Sequence, residues 1–403
     1  MNNVIGETDL PSASNWEVVV IGAGVAGALA ALHCVRAGFE TLLIDKQLFP
    51  RHKVCGCCLN AKAWRSLENA GVAEELSQSA NSILTTRFHI RGRQATVKVT
   101  GMQAVSRSKL DSLLVSAFIA AGGKFVDGTT ATVLPGSERP QIQLQRVRRS
   151  QQATADSISA ADDCVITADV VLACDGLGHP SLKMFSEVAS RVATRSRVGV
   201  GVVIPRSSAD TGFPPDELQM AVGRHGYVGT VEVEQGHFSI AAALDAKVLK
   251  AGKSPLTVLQ EIYSANALQA PANLNSASIR GTLPLTRSTN PVAMRRIFLL
   301  GDAVGYVEPF TGEGMAWAMT SADLVLPLVE DVVRNGWSHT LPAKWASLLK
   351  QDVRQRQRIC RLLSRSLRFP WLLSPMVNAC RLFPAAAESL VRRMNHVSSA
   401  KKV

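Results

Sequence analysis

No basic, apolar leader opens the chain. Residues 1–15, MNNVIGETDLPSASN, are polar, so a cleaved export signal is not expected. The longest apolar run, residues 18–32, is broken by three glycines and ends at His33, which excludes a membrane span there. The eight cysteines are scattered over 403 residues and are expected to be thiols, not a disulfide framework. Cys55, Cys57 and Cys58 lie close together, but no second CxxC or HxxxH pair accompanies them, so no metal site is expected. No Ser–His–Asp or paired-carboxylate arrangement stands at a convincing spacing, which argues against hydrolysis. The net charge of +12 is lopsided: residues 344–403 hold 13 Lys or Arg against Asp352 and Glu388, leaving 31 basic and 30 acidic residues in the rest. A body-wide groove for nucleic acid is thereby disfavoured.

With 46% hydrophobic and 19% charged residues the chain is globular, and its length suits two or three units. Residues 18–21, VVVI, read as a buried parallel strand. Gly22, Gly24 and Gly27 follow at GxGxxG spacing, then an Ala- and Leu-rich helical run to Gly38 and a second apolar run ending at Asp45. Gly22 permits the tight turn, Gly24 lets a pyrophosphate approach the backbone, and Gly27 lets helix and strand pack closely. The helix start offers free N–H groups to phosphate. Asp45, 18 residues past Gly27, is placed to accept from ribose hydroxyls. This predicts dinucleotide binding and leaves NAD(P) and FAD both open.

Residues 168–177, ADVVLACDGL, read as a buried strand ending at Asp175-Gly176. Residues 296–315 read as a strand, then Gly301-Asp302, a loop, and Gly312 and Gly314 opening a helix. Asp302 at a strand end suits a sugar-alcohol hydroxyl, and a helix start suits a ring edge that gains negative charge. These motifs, in this order, resemble the FAD-dependent oxidoreductases of the p-hydroxybenzoate hydroxylase superfamily, and most of all their geranylgeranyl reductase branch, over roughly residues 17–335. Val304-Gly305 and Gly314-Met315-Ala316 stand closer to that branch than to the aromatic hydroxylases; residues 226–244 lack the Phe-Pro ending of its substrate motif.

The resemblance implies that Gly22, Gly24, Gly27 and Asp45 hold the ADP half of FAD, that Arg107 contacts its phosphates, that Asp175 and Gly176 lie near FAD and incoming NAD(P)H, that Gly301 and Asp302 meet the ribityl chain, and that Pro309, Gly312, Gly314 and Met315 flank the isoalloxazine ring. The loop FPRHKVCGCCL (49–59) would pass near the flavin, bringing Arg51, Lys53 and Cys55 to it. The implied fold is mixed α/β: a Rossmann-like FAD-binding domain, a β-sheet substrate domain and a C-terminal helical tail. The expected bounds are a polar tail at 1–16, a discontinuous FAD domain at 17–80, 100–185 and 285–335, a substrate domain at 81–99 and 186–284, and a basic helical region at 336–403. Residues 197–204 and 229–244 read as strands, and 136–163 as an exposed hairpin end.

Glu308 and Glu313 flank the flavin loop and are the acid–base candidates; Tyr227 and His225 are further candidates for the pocket. The expected activity is FAD reduction by NAD(P)H followed by C=C reduction in an apolar or aromatic substrate. The alternatives are hydroxylation through a flavin hydroperoxide and electron transfer to a membrane partner. In residues 354–369 the helical pattern sets Arg354, Arg358, Arg361, Arg365 and Arg368 against Ile359, Leu362, Leu363 and Leu367, followed by an aromatic, apolar stretch to 373. Two readings stand: peripheral contact of 354–373 with an anionic membrane at its inner face, or a helix packing its leucines on the FAD domain. A cytoplasmic location fits both.

Overall fold

A computed structural model describes residues 15–147, 163–308, 310 and 312–369. The first strand, Asn15–Ile21, is paired in parallel with Thr41–Ile44 on one side and Asp163–Ala173 on the other. Val18, Val19 and Val20 are wholly buried. That explains an unbroken apolar run where a one-sided strand would alternate: helices cover both faces of a parallel sheet. Lys124–Val126 and Ile297–Leu299 extend the sheet in parallel, and the hairpin Thr129–Leu134 and Gln141–Arg146 joins it through an antiparallel pairing. The remainder of the expected hairpin end, 148–162, lies outside the described residues. Helices Val25–Arg36, Arg107–Ala120 and Gly314–Asn335 share this sheet's core.

A second sheet of eight strands gathers distant stretches. Its order is Arg280–Pro284, Arg197–Pro205, His237–Asp245, Gly226–Val233, Glu217–Gly223, Asn81–Ile90, Arg93–Ala104 and Cys58–Leu59. The single strand expected over 229–244 is two, broken by a turn at Glu234–Gly236 in which Gln235 takes a left-handed conformation (φ 58°). The outer face is covered by Pro255–Ser264, which buries Val258, Leu259, Ile262 and Tyr263 against Phe238 and Leu244. Three short strands, Ala189–Val192, Arg287–Asn290 and Gly305–Tyr306, form a small third sheet.

The basic tail begins inside the core. In Leu341–Leu349, Trp345 is wholly buried and donates its indole N–H to Leu299 O at 3.1 Å. Helix Gln355–Ser366 departs from the expected arginine-against-leucine division. Its inward face is Gln357, Cys360 and Ser364, continued by Leu367, while Ile359 and Leu362 are 54% and 66% exposed beside exposed Arg358 and Arg361. The reason is what the helix covers: two buried carboxylates, Glu308 and Glu313, which polar side chains can satisfy and leucines cannot. The helix thus packs on the body, as one of the two readings had it, but of the four apolar residues named for that face only Leu367 is buried, and Ile359 and Leu362 are exposed. Residues 370–373 of the expected membrane segment lie outside the described residues. No helix among the described residues is long and apolar enough to cross a membrane.

Candidate functional site

The glycine turn is fixed by sterics. Gly22 has φ 101°, and a Cβ on it would lie 2.5 Å from Cys174 O; one on Gly27 would lie 1.9 Å from Gly22 O. Gly24 serves differently. The nearest atoms to a Cβ there would be the ends of three cations, Arg107 Nη2 at 3.4 Å, Arg51 Nη2 at 3.7 Å and Lys53 Nζ at 3.7 Å. Helix Val25–Arg36 starts at once, with no side chain capping its first N–H groups and no acid in its first turn. One phosphate-sized place thus faces three cations and a helix start.

A buried carboxylate pair orients those cations. Asp111, wholly buried, takes both arms of Arg107 at 2.9 Å and Arg51 Nη1 at 3.3 Å. Asp45, at the end of the second strand, accepts from Arg51 Nη2 at 3.2 Å, Ala23 N at 2.8 Å and Gln47 N at 2.9 Å. Asp111 was not singled out in the sequence; its spacing of four residues from Arg107 on one helix was the available signal. Lys53, on the open side of the groove, lies 3.7 Å from Asp302. Loss of water around its ammonium lowers its pKa, Asp302 opposes that, and Arg107 and Arg51 add to the lowering.

Further along the groove, Gly176, Gly301, Asp302, Gly312, Gly314 and Met315 line the same cavity as Gly24, Lys53 and Arg107. Asp175 turns aside and accepts Ser181 N at 2.6 Å, its pKa raised by burial. Pro309 lies outside the described residues. A second, largely apolar cavity of about 120 Å³ is walled by Leu218, Met220, Tyr227, Leu285 and Phe310. It shares Val54, Cys55, Gly56, Cys58, Tyr306 and Gly312 with the groove, so the two adjoin. Phe310 meets Tyr227 edge-on at 5.1 Å and stacks on Phe88 at 5.8 Å. Desolvation pushes the phenol pKa of Tyr227 and Tyr306 well up, so both stay protonated near neutrality.

Cys55 borders both cavities. Its pKa is lowered to about 6, first by a hydrogen bond from the Cys57 thiol and, against the cost of desolvation, by the positive charge of Arg107. Burial pushes the Cys58 thiol up to about 12. Glu308 and Glu313 line neither cavity. Glu308 is wholly buried and is held by Arg197 Nη1 at 3.1 Å and Ser364 Oγ at 2.6 Å; Glu313 accepts the Cys360 thiol at 3.1 Å. These contacts make both carboxylates anchors for the C-terminal helix. His225 also stands off the cavities, while Tyr227 lines one.

The profile of the family described as FAD binding domain matches residues 15–334. A menaquinone reductase from Mycolicibacterium smegmatis is 24% identical over 375 residues, covering 89% of this chain and 86% of that one. A menaquinone reductase from Mycobacterium tuberculosis is 26% identical over 380 residues, covering 89% and 85%. Among solved structures, a flavoprotein/dehydrogenase from Cytophaga hutchinsonii superposes with a TM-score of 0.75 at 14% identity over 96% of this chain and 94% of that one, a likeness of fold.

Proposed function

The chain belongs to the FAD binding domain family and is a FAD-dependent oxidoreductase, and on that premise we propose that it takes reducing equivalents from NADH or NADPH and reduces a carbon–carbon double bond in an apolar, isoprenoid-type substrate. The observation that carries this reading is the apolar chamber adjoining the cation-lined groove through Cys55, Tyr306 and Gly312. The relatives named menaquinone reductase, matched over most of their length, support it. The residues present fit FAD. The place at Gly24, ringed by Arg51, Lys53 and Arg107, suits a pyrophosphate. Asp45 then serves the adenosine ribose and Asp302 the ribityl chain. Gly312, Gly314 and Met315 form the wall beside the ring. When bound, FAD supplies two-electron hydride chemistry.

The chain's own part is to bind, orient and exclude water. Leu218, Met220, Leu285 and Phe310 take an apolar substrate out of water against the groove. Tyr306 and Tyr227 hold their protons at Oη and face the chamber, so each can donate to a substrate oxygen or carbon that gains charge. Burial raises the pKa of Glu313, but it lies behind the loop, bonded to Cys360, and supports the loop instead of meeting substrate.

The experiment is anaerobic turnover of the FAD-loaded protein with NADPH or NADH and a menaquinone carrying an unsaturated side chain. After the ring is reoxidised to the quinone, the expected product is heavier by two hydrogens in its side chain, formed without oxygen; a mass gain that disappears on reoxidation would show reduction of the ring alone and overturn the reading. Turnover that requires oxygen and adds an oxygen atom to the substrate would replace this reading with hydroxylation.

A further inference from the structure

A cavity bordered by the C-terminal helix lies away from the flavin groove and shares no lining residue with it. Its volume is about 740 Å³, and its walls carry six arginines: Arg191, Arg195, Arg287, Arg361, Arg365 and Arg368. No Asp or Glu lines it. Among the described residues Arg368 pairs with Asp245 at 3.2 Å, while the other five have no carboxylate partner. Arg287 is the most telling of them. It is 7% exposed, its Nε and Nη2 donate to Pro284 O at 3.1 and 2.9 Å, and burial lowers its pKa with no acid to compensate. Guanidinium groups crowded in one concavity repel each other, and a multiply charged anion offsets that repulsion. Their planar forks match phosphate oxygens in pairs.

We propose that this cavity is a binding site for a phosphate-bearing anion of at least two negative charges. The site is independent of the flavin reading. Two sources share this chemistry: the headgroup of an anionic phospholipid and a soluble diphosphate. Phe369, 46% exposed, lies in the cavity wall, and exposed Leu362 and Ile359 sit on the same helix. Apolar side chains beside a basic pocket suit a headgroup whose acyl chains lie next to it. Ser364 lines the cavity and donates to Glu308 at 2.6 Å, so an anion here meets the element that braces the flavin loop.

The test uses the full chain with FAD bound, so that pyrophosphate cannot enter the groove at Gly24. Thermal unfolding is followed against sodium pyrophosphate and against sodium chloride of equal ionic strength. Pelleting is measured with vesicles of cardiolipin, whose headgroup carries two phosphates, and phosphatidylcholine, and with phosphatidylcholine alone. Three proteins are compared with wild type: Arg361→Glu/Arg365→Glu, Arg191→Gln/Arg195→Gln from the opposite wall, and Lys350→Glu/Arg358→Glu, which alters charge off the cavity. The visible spectrum of bound FAD reports that each is folded.

Stabilisation by pyrophosphate beyond chloride is expected, with half-saturation about tenfold weaker or more in either cavity variant and within about twofold in the third. Pelleting with cardiolipin that pyrophosphate displaces and the cavity variants lose identifies a lipid headgroup. Pyrophosphate stabilisation without pelleting identifies a soluble source. Pyrophosphate acting no better than chloride, or equal losses in all three variants, overturns the proposal.

Discussion

Replacing Asp111 by alanine tests the organisation of the cation cluster. The carboxylate is wholly buried, takes both arms of Arg107 at 2.9 Å and reaches Arg51 at 3.3 Å. Removing it leaves two guanidiniums, each under a tenth exposed, short of their countercharge. Breaking a buried ion pair costs about 3–5 kcal/mol, and Arg51 retains Asp45, so the lower half of that range is expected. At roughly 1.2 °C per kcal/mol for a chain of 403 residues the apoprotein should lose about 4–5 °C in thermal midpoint. Asp111→Asn keeps acceptor geometry for one arm and should cost about 1–3 kcal/mol. The FAD-loaded form should lose less than the apoprotein, because the pyrophosphate replaces part of the missing countercharge. Scanning fluorimetry of both forms, with FAD affinity from flavin fluorescence, reads all three quantities. If Asp111→Ala unfolds within about 0.5 kcal/mol of wild type and binds FAD as tightly, the cations are not held as argued.

The glycines give a paired test. Gly27→Ala, whose Cβ would strike a backbone oxygen at 1.9 Å, should abolish FAD loading, whereas Gly24→Ala should fold and bind FAD at least about tenfold more weakly, as read by dialysis and absorbance. Glu313 has its folded pKa raised by burial, so its contribution to stability is fully present below its unfolded pKa and falls as pH rises through the folded value. Glu313→Gln, which still accepts from Cys360, should therefore gain stability over wild type at pH 8 and lose that advantage near pH 4, measured by urea unfolding across pH. Alkylation of the apoprotein by iodoacetamide should show a component with a midpoint near pH 6 that is lost in Cys55→Ser, the other thiols reacting only at higher pH; a Cys55 midpoint near that of an ordinary thiol would refute the thiolate there. Ser364→Ala leaves buried Glu308 with one bond fewer and should cost about 1–3 kcal/mol by urea unfolding.

The first strand, the glycine turn and Asp45 were legible because their causes are local: an apolar run, positive φ at Gly22 and a strand end at Asp45. Asp302 was legible for the same reason, at the end of an apolar run. Asp111 was not, because one acid within a helix reads as surface until a partner folds over it. Glu308 and Glu313 looked like catalytic acids because they flank the flavin loop, yet their partners, Arg197, Cys360 and Ser364, come from far along the chain. The same distance hid the orientation of Gln355–Ser366: helical periodicity marked leucines as inward, while the carboxylates beneath selected Cys360 and Ser364. The break at Glu234–Gly236 was written in Gln235-Gly236, a turn signal inside a strand pattern.

The sheet above the groove draws on residues 58–59, 81–104 and 197–284, laid down between stretches that build the sheet below it. Neither layer is a contiguous cassette, so no single crossover can transplant the upper one from another protein. A chimera needs several junctions made at once, each preserving register. Altered substrate preference is therefore reached more readily by point changes in the chamber wall, at Leu218, Met220 or Leu285, than by exchange of blocks.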